Sequence, residues 1–170
     1  MISTNDFQHI GSIKTDLNKL KSWCYSQLPT MTNSVSNYTV GGRKEKWFDR
    51  GWKLSHPVEV FTAEHNERIY QLGQRLFPGN HACLFLYYPF SAYIKPHRDH
   101  TASENWVVQI HIGCPVTFTV GENEYALADG EIVGFNSKLL HSVSAARSDR
   151  FVISWRKIKP IYLQQQLSLL

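Results

Sequence analysis

The pattern of hydrophobic and polar positions changes period part-way along the chain. Between about Thr15 and Leu28, Leu17, Leu20, Trp23 and Cys24 recur at helical spacing until Pro29 ends the run. That spacing predicts an amphipathic helix. Thr30 to Tyr38 is rich in Ser, Thr and Asn and reads as a loop. Thr62 to Phe77 predicts a second helix, capped by Thr62, with Ile69, Leu72, Leu76 and Phe77 on one face. Pro78-Gly79-Asn80 stops it.

From His81 onward the period is that of strands. Cys83 to Tyr88 is an apolar and aromatic run, Trp106 to Ile112 is rich in β-branched residues, and Val116 to Val120 alternates. Gly121-Glu122-Asn123 supplies a hairpin turn before Tyr125 to Leu127. Asp129-Gly130 makes another before Ile132 to Phe135, and Phe151 to Trp155 closes the series. Short strands separated by turn signals argue for a sandwich or barrel. The expected fold is mostly β with α (α+β), a jelly-roll core with N-terminal supporting helices. One domain spans 1–170, with about 1–80 as support and about 81–160 as the core.

Composition narrows the class. Hydrophobic residues make up 42% of the 170, enough for a core, and the many aromatics argue against disorder. Lysine and arginine outnumber the acids 18 to 14, which permits a polyanionic partner without requiring one. Cys24, Cys83 and Cys114 are widely spaced and odd in number, so neither a disulfide framework nor a zinc pairing is expected. No long apolar run or signal-peptide pattern is present. The expectation is therefore a cytoplasmic protein without a membrane span.

The candidate chemistry lies at His97-Arg98-Asp99, with His141 and Arg150 further on. Two imidazoles and one carboxylate on one face can hold non-haem iron with the opposite face open. Residues 97 and 99 share a side of an extended strand, and His141 would have to come from a neighbouring strand. Chance alone yields about one His-x-acid triplet in a chain with this many histidines and acids, so the triplet by itself is weak. His-Arg-Asp also opens the catalytic loop of protein kinases. Glu104 stands where that loop needs Asn, and there is neither a Gly-rich loop nor Asp-Phe-Gly.

The surrounding elements carry more weight. Tyr87-Tyr88-Pro89 precedes the triplet, and Ile110-His111-Ile112-Gly113-Cys114-Pro115-Val116-Thr117-Phe118 follows it. Then come Leu127-Ala128-Asp129-Gly130-Glu131-Ile132-Val133, His141-Ser142-Val143 and Arg150-Phe151-Val152-Ile153-Ser154-Trp155-Arg156. From about Leu84 to Lys157 this order resembles the Fe(II)/2-oxoglutarate dioxygenases, and the AlkB branch most closely. The resemblance implies a double-stranded β-helix in which His97, Asp99 and His141 bind Fe(II). It also implies that Arg150, Arg156 and Tyr88 hold 2-oxoglutarate, with O2 as the other co-substrate. Three positions depart from that branch: Leu86 and Val152 stand where it often has Asn, and Thr101 where it commonly places an acid.

Plainer readings exist for each residue. His97 and Asp99 can be a turn pair after Pro96, and His141 a satisfied core histidine. Arg150 can be a strand-end cation, Arg156 a basic edge residue and Tyr88 simply core. His100 and His111 are left out of the metal shell, and His81 has no apparent role. The segment Gly41 to Lys53 interleaves Arg43, Lys44, Lys46, Arg50 and Lys53 with Trp47, Phe48 and Trp52. Trp47, Trp52 and Arg43 are candidate substrate contacts, with cations for phosphates and aromatic faces for bases. The alternative is a solvated hairpin whose aromatics pack on the core. In AlkB-like proteins the region before the barrel forms a substrate lid.

The expected function is therefore an AlkB-like monomeric dioxygenase that hydroxylates, and so demethylates, a single-stranded or flipped nucleic-acid base, as in DNA or RNA repair. The alternatives are a 2-oxoglutarate-dependent hydroxylase of a small molecule or protein side chain, and a non-enzymatic cupin-like metal-binding module.

Overall fold

The computed structural model describes residues 6–167. Strand β1 (Phe7–Ser12) leads into helix α1 (Leu17–Gln27), which buries Leu20 and Cys24 and ends in a 3-10 turn at Leu28–Thr30. Five short strands follow: β2 (Thr32–Asn33), β3 (Thr39–Val40), β4 (Lys44–Phe48), β5 (Arg50–Trp52) and β6 (Val60–Thr62). Helix α2 (Glu67–Leu76) comes next, then β7 (Ala82–Tyr88), β8 (Tyr93–His97) and β9 (Ser103–Gly113). The chain closes with β10 (Val116–Val120), β11 (Asn123–Leu127), β12 (Glu131–Asn136), β13 (His141–Val143), β14 (Arg150–Ile158) and α3 (Pro160–Leu167).

Two antiparallel sheets face each other as a jelly roll. The seven-stranded sheet runs β1-β12-β9-β14-β7-β4-β2, and the five-stranded sheet runs β11-β10-β13-β8-β3. Strand β14 sits centrally, and Arg150 to Arg156 are all buried because both of its faces are covered. Phe151, Ile153 and Trp155 pack with Phe85, Ile110, Ile69, Leu20 and Cys24 in a core shared by the sheet and the first two helices. Val152 joins Leu86, Val107 and Val133 against Val116, Phe118 and Val143 of the smaller sheet. Alternation along each strand thus builds two cores from one sheet.

Residues 6–80 are not a helical unit. Strands β1, β2 and β4 extend the larger sheet and β3 extends the smaller one, so both halves of the chain build the sandwich. These strands are short and carry many polar residues, which hid them from a periodicity reading. Thr62 does not cap α2. It pairs with Arg50 at the end of β6, and Asn66 accepts from the Ile69 amide in its place. The strand expected at His97 and Asp99 is β8, which begins at Tyr93, contains Lys95 and Pro96, and ends at His97.

Candidate active site

His141 lies directly across from His97 on paired strands β13 and β8 of the smaller sheet. Each imidazole is fixed through Nδ1, which meets the carbonyl of the residue two earlier: Lys95 for His97 and Leu139 for His141, both at 2.9 Å. The carbonyls can only accept, so Nδ1 carries the proton and Nε2 is left as a lone-pair donor. Both Nε2 atoms face the Asp99 carboxylate, at 3.7 Å from His97 and 3.5 Å from His141. The three ligand atoms lie within 4.8 Å of one another.

Asp99 is not on a strand with His97, as the sequence spacing suggested. β8 ends at His97, and the chain leaves the sheet so that the Asp99 amide donates to the Ser137 carbonyl at 2.9 Å. Lys138, next in the chain, reaches back to the His100 carbonyl at 2.6 Å and to Ser103 Oγ at 3.1 Å. Burial lowers its pKa to about 8 against the opposing pull of Asp99. The segment before His141 therefore clamps the loop that carries Asp99.

The electrostatics suit a cation. Burial first, and His141 second, push His97 down to about 4, so it is neutral at pH 7. Burial alone would raise Asp99, but Arg156 and the two histidines hold it well below the usual carboxylate range. Two imidazoles and one carboxylate are a donor set for a divalent transition metal, and the groups holding their far sides are those expected around such a site.

All nine residues singled out in the sequence line one cavity of about 450 Å³ between the sheets. The Arg150 guanidinium, fully buried, lies 3.9 Å from the centre of the Tyr88 ring. Its Nε and Nη2 have no hydrogen-bond partner among the described residues. Burial opposes the Tyr88 phenolate, yet Arg43 and Arg150 outweigh it and lower the tyrosine's pKa. Gly113, opposite Arg150 on β9, has φ +109, and a Cβ there would meet the Asp149 carbonyl at 2.5 Å. That close approach lets the Asp149–Arg150 backbone lie against the end of β9.

Arg156 shares the cavity face with Arg150 but donates to the Asp99 carboxylate instead of pointing freely at a ligand. Arg43 is not a surface cation for phosphate. It is buried, bonded to Ser34 and Glu45, and its Nη1 donates to the Tyr88 hydroxyl at 3.2 Å. Lys46 and Lys53 of the same segment pair with Glu64 and Glu59. The aromatic half of the segment does reach the cavity. Trp47 and Trp52 both line it with ring centroids 4.6 Å apart, while Phe48 faces the opposite core. Gly51 makes room, since a Cβ there would meet Trp47 at 2.7 Å.

The sequence reading missed several cavity residues. Tyr38 stacks on His97 at 5.3 Å, and His111 and Gln109 line the wall beside Arg150. The last two could have been found from parity: on β9 they alternate with the buried Ile110 and Ile112, two polar residues on one face of an apolar strand. His100 stacks on His56 at 5.2 Å, and His81 Nδ1 accepts from the Ile158 amide at 3.0 Å.

No protein-family model matches the chain, and neither does any curated protein. Solved structures do. OsALKBH1 superposes with a TM-score of 0.65 over 92% of this chain and 100% of that one, at 12% identity. A Trichoplax adhaerens prolyl hydroxylase, in complex with a peptide of the hypoxia inducible factor oxygen degradation domain, gives 0.66 over 95% and 87%, at 16% identity. A Burkholderia pseudomallei oxidoreductase of the 2OG-Fe(II) oxygenase family gives 0.59 over 84% and 78%, at 12% identity. The chain shares the fold of the 2OG-Fe(II) oxygenases.

Proposed function

We propose that the protein is an Fe(II)- and 2-oxoglutarate-dependent oxygenase. The observation that carries this reading is the placement of a buried Arg150, two of whose nitrogens have no hydrogen-bond partner among the described residues, in the same cavity as the His97–Asp99–His141 cluster. A structural metal site has no use for a desolvated guanidinium. An enzyme that must hold an anionic co-substrate beside its metal does.

When bound, Fe(II), 2-oxoglutarate and O2 together supply an oxidant for a C–H bond, and the co-substrate leaves as succinate and CO2. The protein's part is placement. His97, Asp99 and His141 would hold the metal. Arg150 takes the distal carboxylate through its unpartnered nitrogens. Tyr88 Oη accepts from Arg43, so its own proton is free to be donated into the cavity. Arg156 holds the Asp99 carboxylate. Leu84, Leu86, Ile94, Val143 and Val152 line the cavity and exclude water from the reacting groups.

For the substrate, the Trp47–Trp52 pair at the cavity wall supports a planar group, and a nucleic-acid base presented single-stranded or flipped fits that chemistry. One observation favours a second reading, hydroxylation of a protein side chain. Arg43, Lys46 and Lys53 are already matched by acids, which leaves fewer cations for a phosphate backbone. Succinate release with the iron-loaded protein tests both. Stimulation by a methylated single-stranded oligonucleotide supports the base. Stimulation by a proline-containing peptide supports the side chain. Absence of 2-oxoglutarate turnover with either, even uncoupled, together with no binding of 2-oxoglutarate, would overturn the oxygenase reading.

A further inference from the structure

His111 is 2% exposed in the middle of a sandwich, a position where an apolar side chain is the default. A buried neutral imidazole needs one donor and one acceptor to satisfy its two nitrogens. Arg150 Nη1 approaches His111 Nδ1 at 3.4 Å, and the Gln109 amide nitrogen lies 2.8 Å from His111 Nε2. A guanidinium can only donate, so Nδ1 is the acceptor and Nε2 carries the proton. Gln109 then presents its amide oxygen to that proton, a half-turn of the carboxamide being all that is required. Burial and the neighbouring Arg150 lower the His111 pKa well below its ordinary value, in keeping with a neutral ring.

The consequence falls on Arg150. Its plane is held against Tyr88 and its Nη1 is turned toward His111, so the edge formed by Nε and Nη2 is the one buried without a hydrogen-bond partner among the described residues. Those two N–H groups lie side by side and match the two oxygens of a carboxylate. Register explains why the task falls to β9. Across the sheet, Glu45, Leu86, Val152 and His111 form one row, and the two middle places carry no polar atom. The nearest acceptor on that row able to reach Arg150 is His111.

We propose that His111, itself oriented by Gln109, is a positioning residue that presents the Nε–Nη2 edge of Arg150 to the distal carboxylate of the co-substrate. This inference rests on the reading of Arg150 as a carboxylate anchor.

The test is calorimetric binding of 2-oxoglutarate to the Mn(II)-loaded protein without O2, with Mn(II) affinity measured in parallel. His111→Leu should weaken 2-oxoglutarate about tenfold, the scale of one lost hydrogen bond to a charged group, and leave Mn(II) affinity unchanged. His111→Asn, whose side-chain oxygen can take the place of Nδ1, should recover most of the loss. Gln109→Leu keeps the ring but frees its rotation, and should weaken binding several-fold; it also serves if His111→Leu does not fold. Wild-type affinity in His111→Leu or Gln109→Leu, alongside lost binding in Arg150→Met, overturns the positioning role and leaves the anchor standing. Unchanged binding in Arg150→Met overturns the anchor and this inference with it.

Discussion

Leu86 and Val152 stand directly opposite one another on β7 and β14, both facing the cavity, next to the opposed pair Tyr88 and Arg150. These are two of the positions at which the chain departs from the AlkB branch, where Asn is frequent. In the structure the two positions form one feature, two hydrocarbons that face each other across paired strands. Placing a single Asn there buries an amide against an aliphatic neighbour, so Leu86→Asn or Val152→Asn should each cost about 1–3 kcal/mol. The double variant should cost less than the sum, since the two amides can then bond to each other. Urea denaturation of the four proteins checks this, and strict additivity would show that the two sites do not communicate.

Arg156 and Asp99 form a buried ion pair with side-chain exposures of 8% and 11%. Breaking it leaves a cation with nothing to neutralise it. Asp99→Ala should destabilise the metal-free protein by about 3–5 kcal/mol, and Asp99→Ala with Arg156→Leu should recover part of that loss. Thermal melts in chelator read the stability, and a Mn(II) titration should show weakened binding in both variants.

Arg150 works against the fold in the absence of a ligand, because it is fully buried with two unpartnered nitrogens. Arg150→Met should raise the stability of the ligand-free protein by about 1–4 kcal/mol while abolishing the response to 2-oxoglutarate. Melting curves with and without 2-oxoglutarate give both numbers in one experiment. A variant less stable than wild type would mean that the stacking on Tyr88 outweighs the buried charge.

Stability should fall with acid in a defined window. The His97 pKa is lowered from 6.5 to about 4, mainly by burial. Between those values the unfolded chain binds a proton that the folded chain refuses, so folding stability rises with pH across that interval. Its contribution is fully present above 6.5 and lost as pH falls toward 4, worth up to about 3 kcal/mol. His81, His100 and His111 are shifted in the same direction and add to the slope. Denaturation of the metal-free protein from pH 4 to 7 should show the rise, with a shallower slope in His97→Asn.

The strands of the second half were legible because their signals are local: alternation, turn residues and a β-branched run each declare themselves within a few positions. Arg150 and Arg156 lie an even number of positions apart on β14 and line the same cavity. What could not be read depended on partners distant in the chain. Nothing near Arg43 announces that its guanidinium will meet the Tyr88 hydroxyl, and nothing near Asp99 announces Ser137. Strands β2 and β3 are two residues each and exist only because longer neighbours offer them an edge. The basic and aromatic segment read as one functional unit, yet alternation divides it, sending Trp47 to the cavity and Phe48 to the opposite core.

His97 and His141 hang from the smaller sheet, whereas Arg150 and Tyr88 belong to the larger one. A molecule that engages the metal at one end and Arg150 at the other spans the gap between two layers otherwise joined there by side-chain packing. It would act as an internal rivet through the sandwich. Pulling the sheets apart would then require ejecting the rivet first, so a loaded protein should yield at higher force and tolerate a protease longer than its melting temperature alone would suggest.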